Sequence, residues 1–197
     1  MVKPRVVGVS GSRRDGSYTR AAVQYALGAA DGSDVETDFV DLGDVDLPLY
    51  HPDEDDQGDA AELTRRVREA DGVVLGSPVY HGSYASTLKN FLDYCGSDEF
   101  EDTVVGLLVV AGGDAYASAL DHLRVTVRSL SGEAIPRQVG IPDASDQFVA
   151  GAPPVPGFDV RQTFTSAALR ERTEALGREV AQRAARRAEP PLALADD

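Results

Sequence analysis

The fold of this chain is decided by the stretch VVGVSGSRRDGSYT, which occupies residues 6–19. Residues 6–10 combine three valines with small residues, as expected of a strand that is buried on both faces. A short turn rich in glycine and serine follows, and apolar residues at helical spacing begin directly after it. This succession of strand, turn and helix predicts the first unit of an α/β fold.

Further strands are predicted along the chain. Two more continuous apolar runs lie at residues 72–77 (GVVLGS) and 104–111 (VVGLLVVA). Such runs are required by a parallel sheet that helices cover on both faces. Residues 35–42 alternate in character and predict an edge strand, and a weaker run near residues 134–141 predicts a fifth strand.

Stretches with helical spacing of apolar residues separate these strands. The stripes are formed by Val23, Ala26, Leu27 and Ala30, by Leu63, Val67 and Ala70, by Leu88, Phe91, Leu92 and Cys95, and by Leu120, Leu123, Val127 and Leu130. A final helix is expected at about residues 165–188. Alternating strands and helices with right-handed crossovers predict a doubly wound α/β three-layer sandwich. The number of elements favours a flavodoxin-like, five-stranded parallel sheet with the order 2-1-3-4-5.

The chain is expected to form one domain. Its 197 residues are enough for one sizeable core, and we assign the domain to residues 1–188. Residues 189–197 are predicted to be a disordered tail. Two segments are predicted to be long loops: the acidic residues 44–59 and residues 142–159, which are rich in proline and glycine.

The acidic composition limits the partners of this protein. The chain has 33 Asp and Glu residues against 19 Lys and Arg residues, for a net charge of −14. Such a surface repels nucleic acid and anionic membranes, so neither is predicted as a partner. Two interpretations stay open, an ordinary acidic protein and a protein adapted to high cytoplasmic salt. The shortage of lysine, with only Lys3 and Lys89 present, favours the second.

The sequence disfavours a membrane-spanning helix, an intrachain disulfide and a metal site. No apolar run approaches the roughly 18 residues that a membrane-spanning helix requires. The first five residues lead directly into a strand without the apolar segment of a secretory signal, so a cytoplasmic location is expected. Cys95 is the only cysteine and falls on an apolar stripe, so we expect it in the core. No metal site is predicted, because His51, His81 and His122 are widely spaced.

The turn in the opening stretch has the chemistry of a phosphate site. The backbone N–H groups and hydroxyls of such a turn point at one spot, and the helix N-terminus adds partial positive charge. The candidate residues are Ser10, Ser12, Arg13, Arg14, Ser17, Tyr18 and Thr19. For Ser17 and Thr19, simple capping of the helix is the alternative.

The kind of phosphate is narrowed by what this turn lacks. Gly11 and Gly16 have the spacing of a nucleotide P-loop, but Ser17 stands where that loop requires a lysine. ATP or GTP hydrolysis is therefore disfavoured. The G-x-G-x-x-G fingerprint of dinucleotide-binding proteins is absent as well. A terminal monophosphate, such as that of FMN, is the remaining candidate.

This turn resembles the G-S-x-R-x-x-S-x-N signature of the NADPH-dependent FMN reductase family, which includes quinone, azo and chromate reductases. Four residues match it directly: Gly11, Ser12, Arg14 and Ser17. Thr19 replaces the usual Asn and keeps a hydroxyl that can bind phosphate. Arg13 stands where the family has an apolar residue. Three contacts stay open for its guanidinium: solvent, the FMN phosphate, or a phosphate of the nicotinamide cofactor.

A second block is similar to the S-P-E-Y-N-G-S…L-K-N-x-x-D pattern of the same family. It comprises residues 77–83 (SPVYHGS) and 88–94 (LKNFLDY). The resemblance implies that this block lies along the isoalloxazine ring, with contacts from Pro78, Val79, Tyr80, His81 and Gly82. Val79 and His81 depart from the Glu and Asn of the pattern. For His81, a surface position and a flavin contact both stay open.

The resemblance also implies a third contact and an activity. Ala111, Gly112 and Gly113 correspond to a turn that approaches the flavin pyrimidine ring. The implied reaction passes a hydride from NADPH or NADH to FMN, and then electrons to a flavin, quinone, azo compound or metal oxyanion. No catalytic side chain is expected, because the flavin itself is the reactive group. A homodimer or homotetramer is implied too. A flavodoxin-type electron carrier and a flavin-binding regulatory protein are the rival interpretations.

Overall fold

A computed structural model describes residues 3–31, 35–55, 57–151, 157–159 and 161–188 of the chain. The strands are β1 (Arg5–Ser10), β2 (Glu36–Asp41), β3 (Gly72–Tyr80), β4 (Ser83–Tyr84), β5 (Val104–Val110), β6 (Glu133–Ile141), β7 (Phe148–Ala150) and β8 (Gln162–Phe164). The helices are α1 (Tyr18–Asp31), α2 (Ala60–Arg68), α3 (Ser86–Asp93), α4 (Ser97–Phe100), α5 (Ala117–Ser129), α6 (Ala144–Gln147) and α7 (Ala167–Ala188). The predicted tail, residues 189–197, lies outside the described residues.

The main sheet has the predicted topology. Its parallel strands follow the order β2-β1-β3-β5-β6, so β5 and β6 are the fourth and fifth strands of the predicted 2-1-3-4-5 order. The short strand β4 turns back and pairs antiparallel with the end of β3. The fold is therefore the flavodoxin-like α/β sandwich expected from the sequence. The three central strands are buried along most of their length, which explains their continuous apolar runs.

Helices cover both faces of this sheet. Side chains of α1 and α7 share one apolar cluster with the sheet, and side chains of α2, α3 and α5 share the other. The helices α1 and α7 approach very closely at Gly177. A Cβ atom placed on Gly177 would lie 1.8 Å from the carbonyl oxygen of Ala26. Only glycine therefore permits this packing of the two helices.

The prediction of one long loop over residues 142–159 is wrong in part. This segment contains α6 and β7, and β7 pairs antiparallel with β8, which follows the predicted loop. The rings of Phe148 and Phe164 lie 4.4 Å apart across this hairpin. A strand of three residues is too short to show an alternating pattern, so only its partner reveals it. Residues 152–156 lie outside the described residues.

The acidic segment at residues 44–59 has no helix or strand in its described part, as predicted. Its conformation depends on Gln57, which is almost fully buried. The amide oxygen of Gln57 accepts hydrogen bonds from the His51 N–H and the Tyr94 hydroxyl, both at 2.9 Å. Its amide nitrogen donates to the carbonyl oxygens of His51 and Glu54. Gln57 thus closes part of the segment on itself, and Asp59, which accepts from the Asp46 N–H at 2.8 Å, joins its two ends.

Within the described residues, no helix is both long and apolar enough to cross a membrane.

Candidate functional site

Three turns follow β1, β3 and β5, and they meet at one edge of the sheet, because parallel strands end on the same side. We call residues 11–17 the first turn, residues 80–83 the hairpin turn, and residues 111–113 the glycine turn. They hold ten of the fifteen site residues predicted from the sequence, and the other five lie within two residues of the first two turns. This edge, beyond the carboxyl ends of the strands, is where open α/β sheets bind their ligands.

The first turn continues the hydrogen bonding of the sheet. The Gly11 N–H donates to the carbonyl oxygen of Gly76 at 2.8 Å, and the Leu42 N–H donates to that of Ser10 at 3.0 Å. A side chain at Gly11 would meet Leu88, whose Cβ lies 2.8 Å from the position of the added Cβ. The start of this turn is therefore fixed by its neighbours on β3 and α3, and by the bond of Ser10 to the residue that follows β2.

Hydroxyl groups of the first turn organise the start of α1. The Ser17 hydroxyl accepts a hydrogen bond from the Arg20 N–H at 3.1 Å, which is an N-cap. The Ser12 hydroxyl accepts one from the Arg14 N–H at 3.4 Å. Both serines and Thr19 are buried. Capping by Ser17, which the sequence left as an alternative, is what the structure shows.

The two arginines of the first turn are available to an anion. Arg13 and Arg14 are exposed, and neither guanidinium has a carboxylate partner among the described residues. Most other arginines of this acidic chain are paired, as Arg20 is with Asp41 and Asp44. Arg13 and Arg14 thus belong to the minority of arginines that have no carboxylate partner among the described residues. Their planar groups match the geometry of phosphate and carboxylate.

A buried carboxylate supports the first turn from behind. Asp41, at the end of β2, pairs with Arg20 of α1 and accepts a hydrogen bond from the Gly43 N–H at 3.0 Å. Burial raises the pKa of Asp41 above its usual value, and these hydrogen bonds and the charge of Arg20 only partly offset the rise. The pair ties α1 to β2 beside the turn. It positions the turn through the buried carboxylate of Asp41, while Arg20 stays partly exposed.

Ser10 and Tyr18 stand at the two ends of the predicted phosphate site. Ser10 is fully buried, and its hydroxyl has no hydrogen-bond partner among the described residues. The ring of Tyr18 stacks on Phe148 with the centroids 4.9 Å apart. Since this contact occupies one ring face, Tyr18 offers the site chiefly its backbone N–H, which has no partner within the helix.

The hairpin turn has a conformation that most residues avoid. Both central residues lie in the left-handed region, with φ of 51° at His81 and 77° at Gly82, as in a type I′ turn. Tyr80 and Ser83 pair at its base. The Tyr80 side chain is 57% exposed. Pro78 and Val79, which precede it on β3, are half-buried.

Ser77 connects β3 to the beginning of α3. Its buried hydroxyl donates to the carbonyl oxygen of Pro78 and accepts from the Ala85 N–H at 2.8 Å. The residue matches the first position of the second sequence block, but its contacts hold the hairpin closed. Ser77 is therefore a structural residue of the site.

The glycine turn leaves open space in front of the sheet. The buried Ala111 donates its N–H to the carbonyl oxygen of Ile141 at 2.8 Å, and the Gly113 carbonyl accepts from the Asp143 N–H at 3.2 Å. Gly112 and Gly113 are exposed, and no atom lies within 4 Å of a Cβ built on either residue. A ligand could therefore approach the backbone of this turn directly.

A cleft joins the first turn to the hairpin turn. Its volume is about 430 Å³, and it is lined by Gly11, Arg13, Arg14, Tyr80 and Thr87. The structure thus brings together the two sequence blocks that were predicted to bind one ligand. The glycine turn does not line this cleft. Thr87 of α3 is a lining residue that was missed, because its only signal is that it directly precedes the second half of the block.

Asn90 belongs to the second block, but its side chain makes its hydrogen bonds with the acidic segment. Its amide nitrogen donates to the carbonyl oxygen of Pro48 at 2.7 Å, and its amide oxygen accepts from the Tyr50 N–H at 2.9 Å. The Tyr94 hydroxyl lies 3.0 Å from the same carbonyl oxygen, so its one proton is shared between Pro48 and Gln57. These bonds fasten residues 48–50 to α3 beside the site, a role that no sequence pattern indicated.

The remaining candidates lie away from the cleft. Cys95 is buried, its thiol donates to the carbonyl oxygen of Phe91, and burial raises the pKa of this thiol, which confirms a core residue. His122 bonds to Ser83 through Nδ1, at 3.0 Å from the hydroxyl. The described residues contain no group of three or more His, Cys, Asp or Glu side chains that could hold a metal ion.

Comparison with known sequences identifies relatives of this chain. The family model for NADPH-dependent FMN reductase matches residues 4–146. The FMN-dependent NADPH-azoreductase of Staphylococcus saprophyticus is 38% identical over 143 residues, which cover 68% of this chain and 75% of that protein. The protein of the same description from Staphylococcus aureus (strain COL) is 35% identical over 142 residues, covering 69% and 76%.

Solved structures with the same fold include several flavoproteins. The apo form of an NADH:FMN oxidoreductase (EMOB) has a TM-score of 0.71 at 20% identity, over 91% of this chain and 89% of that one. FerB, an NAD(P)H:(acceptor) oxidoreductase from Paracoccus denitrificans, has a TM-score of 0.68 at 20% identity, over 92% and 97%. A flavodoxin from the domain Archaea has a TM-score of 0.64 at 12% identity, over 91% and 98%. At these identities, the similarity concerns the fold alone.

Proposed function

This chain belongs to the NADPH-dependent FMN reductase family, and from that membership we propose that it passes a hydride from the nicotinamide to bound FMN and then two electrons to a small acceptor. Membership makes it an oxidoreductase that uses FMN, with NADPH as the reductant. The observation that supports the proposed site is the cleft shared by Arg13, Arg14 and Tyr80, because it brings an anion site next to an exposed aromatic ring.

The residues of the first turn fit the phosphate end of FMN. The buried Ser10 hydroxyl lacks a partner among the described residues, and the guanidinium groups of Arg13 and Arg14 lack carboxylates. The FMN phosphate supplies acceptors for Ser10 and Arg14, and we assign Arg13 to a phosphate of the nicotinamide cofactor. The turn also begins a helix of 14 residues, whose first N–H groups have no acceptor within the helix.

Capping and phosphate binding by Ser17 are compatible. Its hydroxyl oxygen accepts the Arg20 N–H, and a hydroxyl that accepts one hydrogen bond still has a proton to donate. Ser17 would therefore donate to a phosphate oxygen while it caps α1. Ser12, Thr19 and the backbone of Tyr18 complete the proposed phosphate site, with Arg14 providing charge.

The other two turns are assigned to the ring end. Pro78, Val79, Tyr80, His81 and Gly82 provide a side wall. Gly112 and Gly113 offer backbone N–H groups to a ring that carries negative charge. Ala111, whose own N–H is bonded to Ile141, begins this turn. When bound, FMN supplies the acceptor for the hydride and the donor for the next electron transfer. The protein contributes orientation and electrostatic stabilisation, and no side chain is assigned as a catalytic acid or base.

An azo compound is the first candidate among the acceptors. The relatives from two staphylococci are described as azoreductases, and they cover more than two thirds of this chain. Flavins, quinones and metal oxyanions are the other candidates. All of these accept electrons from a reduced flavin, which supplies two electrons in each cycle, and an open cleft gives them access to it.

Purified protein tests this function. We expect the protein to bind FMN, seen as quenching of flavin fluorescence, and to oxidise NADPH faster than NADH when an azo dye, menadione or free FMN is added. Failure to bind FMN would overturn the proposal. Bound FMN without turnover by either nicotinamide would identify an electron carrier or a regulatory protein instead.

A cytoplasmic location, expected from the sequence, and a homodimeric or homotetrameric assembly, implied by the family resemblance, are part of this proposal. Light scattering coupled to size-exclusion chromatography measures the assembly directly. A monomer at micromolar concentration would contradict that part of the proposal and leave the assignment of FMN unaffected.

A further inference from the structure

Three side chains on one face of α5 bind three consecutive residues of the β3–β4 hairpin. Ser118 donates to the carbonyl oxygen of Gly82 at 2.6 Å. His122 Nδ1 lies 3.0 Å from the hydroxyl of Ser83. The third bond joins the side chain of Thr126 to the hydroxyl of Tyr84, at 2.9 Å. Since Ser118, His122 and Thr126 are spaced by four residues, they lie on one face of the helix.

The direction of the third bond is set by its surroundings. The Thr126 hydroxyl donates its proton to the carbonyl oxygen of His122 at 3.0 Å. The Tyr84 hydroxyl must therefore donate to Thr126. The hairpin is thus held to α5 through one backbone carbonyl and two side chains, with no water needed.

The hairpin turn needs such support. His81 has a φ of 51°, and this backbone conformation is energetically unfavourable for a residue other than glycine. The strand β4 has only two residues, so its pairing with β3 is short. The bonds from α5 add long-range contacts at Gly82 and Ser83 in the turn and at Tyr84 directly after it. They hold Tyr80 in place at the edge of the cleft.

We propose that Ser118, His122 and Thr126 are positioning residues that fix the hairpin turn relative to α5, and thereby the ring end of the flavin site. The helix α5 begins shortly after the glycine turn, so the same helix connects the two turns assigned to the ring. None of the three residues lines the cleft. This inference rests on the proposed function, because it concerns how the same site holds a flavin.

The proposal predicts which part of the cofactor is affected. The phosphate site is made by the first turn, which these three side chains do not contact. Loss of the three bonds should therefore weaken the binding of FMN and of riboflavin by the same factor, since both molecules have the ring and only FMN has the phosphate. Ser17→Ala should instead weaken FMN more than riboflavin.

The experiment titrates the apoprotein with FMN and with riboflavin, and follows flavin fluorescence. For the double variant Ser118→Ala/His122→Ala, we expect both dissociation constants to rise at least about fivefold and their ratio to stay unchanged, in proportion to two lost hydrogen bonds. The midpoint potential of the bound FMN should shift as well. Hydrogen exchange of the amides at residues 80–84 should be faster in the flavin-free variant.

Two further variants serve as controls. Ser129→Ala removes a hydroxyl of the same helix that donates to the carbonyl oxygen of Thr126 and does not contact the hairpin, so flavin binding should match wild type. Ser118→Thr keeps the hydroxyl, so this variant should bind FMN and riboflavin as tightly as wild type does. If the double variant does not fold, Thr126→Val removes one hydroxyl with little change of volume and is measured in its place.

Each outcome has one meaning. A wild-type protein that binds neither flavin overturns the proposed function. Wild-type binding of both flavins, with unchanged affinity, potential and exchange in the variants, overturns this inference alone. A variant that loses affinity for FMN but not for riboflavin also overturns it, because the effect would then lie at the phosphate end.

Discussion

Arg13 and Arg14 are adjacent and both exposed, yet we expect their substitutions to differ. Arg14 matches the family signature and Arg13 does not. Arg14→Ala should weaken FMN binding by about 1–3 kcal/mol, as expected for the loss of a charge-assisted hydrogen bond to phosphate. Arg13→Ala should leave FMN affinity nearly unchanged and lower the preference for NADPH over NADH. Fluorescence titration and the ratio of kcat/KM for the two nicotinamides test this, and equal losses of FMN affinity would refute it.

A second prediction at the residue scale concerns acid. Asp38 on β2 accepts hydrogen bonds from Arg5 at 2.7 Å and from Arg66 of α2. Burial alone would raise the pKa of Asp38, but the hydrogen bonds and charges of Arg66 and Arg5 hold it below its ordinary value of 3.8. A carboxyl with a lowered pKa in the folded state stabilises the fold above 3.8 and loses that contribution as pH falls through the folded pKa.

Asp38→Asn should therefore lower the free energy of unfolding at neutral pH by about 1–3 kcal/mol. Acidification below pH 3.8 destabilises wild type partly because Asp38 becomes protonated. The free energy of unfolding of the variant should therefore fall less over this pH range. Urea unfolding at a series of pH values measures both effects. Asp121→Asn, at an exposed position on α5, is the matched control and should change neither.

The sequence predicted single residues unevenly. Ser12, Arg14 and Tyr80 were found because they belong to short local motifs, and the structure places all three at or beside the cleft. The bonds made by Asn90 and His122 were not predicted. Each crosses between elements about 40 residues apart, and such contacts depend on the folded geometry alone.

At the scale of elements, the contact of α1 with α7 gives a sharp test. Gly177→Ala adds helix propensity of about 1 kcal/mol, but the new methyl group would lie 1.8 Å from the Ala26 carbonyl oxygen. The two helices must then separate, and we expect a net loss of about 1–3 kcal/mol in the free energy of unfolding. Thermal or urea unfolding measures this loss.

The control for that substitution is Gly96→Ala. An added Cβ there would meet no atom closer than 3.5 Å, so its effect should be small. Equal stability of the Gly177 and Gly96 variants would show that α1 and α7 can shift apart without cost.

The same scale shows why most of the fold could be predicted. β1, β3 and β5 are continuous apolar runs since helices cover both faces, and α1 and α5 show clear apolar stripes. β7 and β8 could not be predicted because they have three residues each and depend on each other across an intervening segment. Their stability comes from Phe148 and Phe164, whose contact is specific to the folded chain.

For the whole molecule, the net charge of −14 predicts a dependence on salt. Salt has two opposing effects here, because it screens the repulsion among carboxylates and also weakens ion pairs such as Arg65–Glu62 and Arg170–Glu174. Exposed ion pairs contribute little, so relief of repulsion should dominate. We expect a higher unfolding midpoint in molar KCl than in dilute buffer. A midpoint that is equal or lower in KCl would contradict adaptation to salt.

The anchoring of the first turn by its backbone has a consequence for protein engineering. The hydrogen bonds of Gly11 with Gly76 and of Leu42 with Ser10 hold the start of the loop, and the side chains of Arg13 and Arg14 take no part in them. Randomised libraries at those two positions should therefore yield mostly folded members. Directed evolution at these two positions could therefore change the preference for NADPH over NADH without altering the sheet.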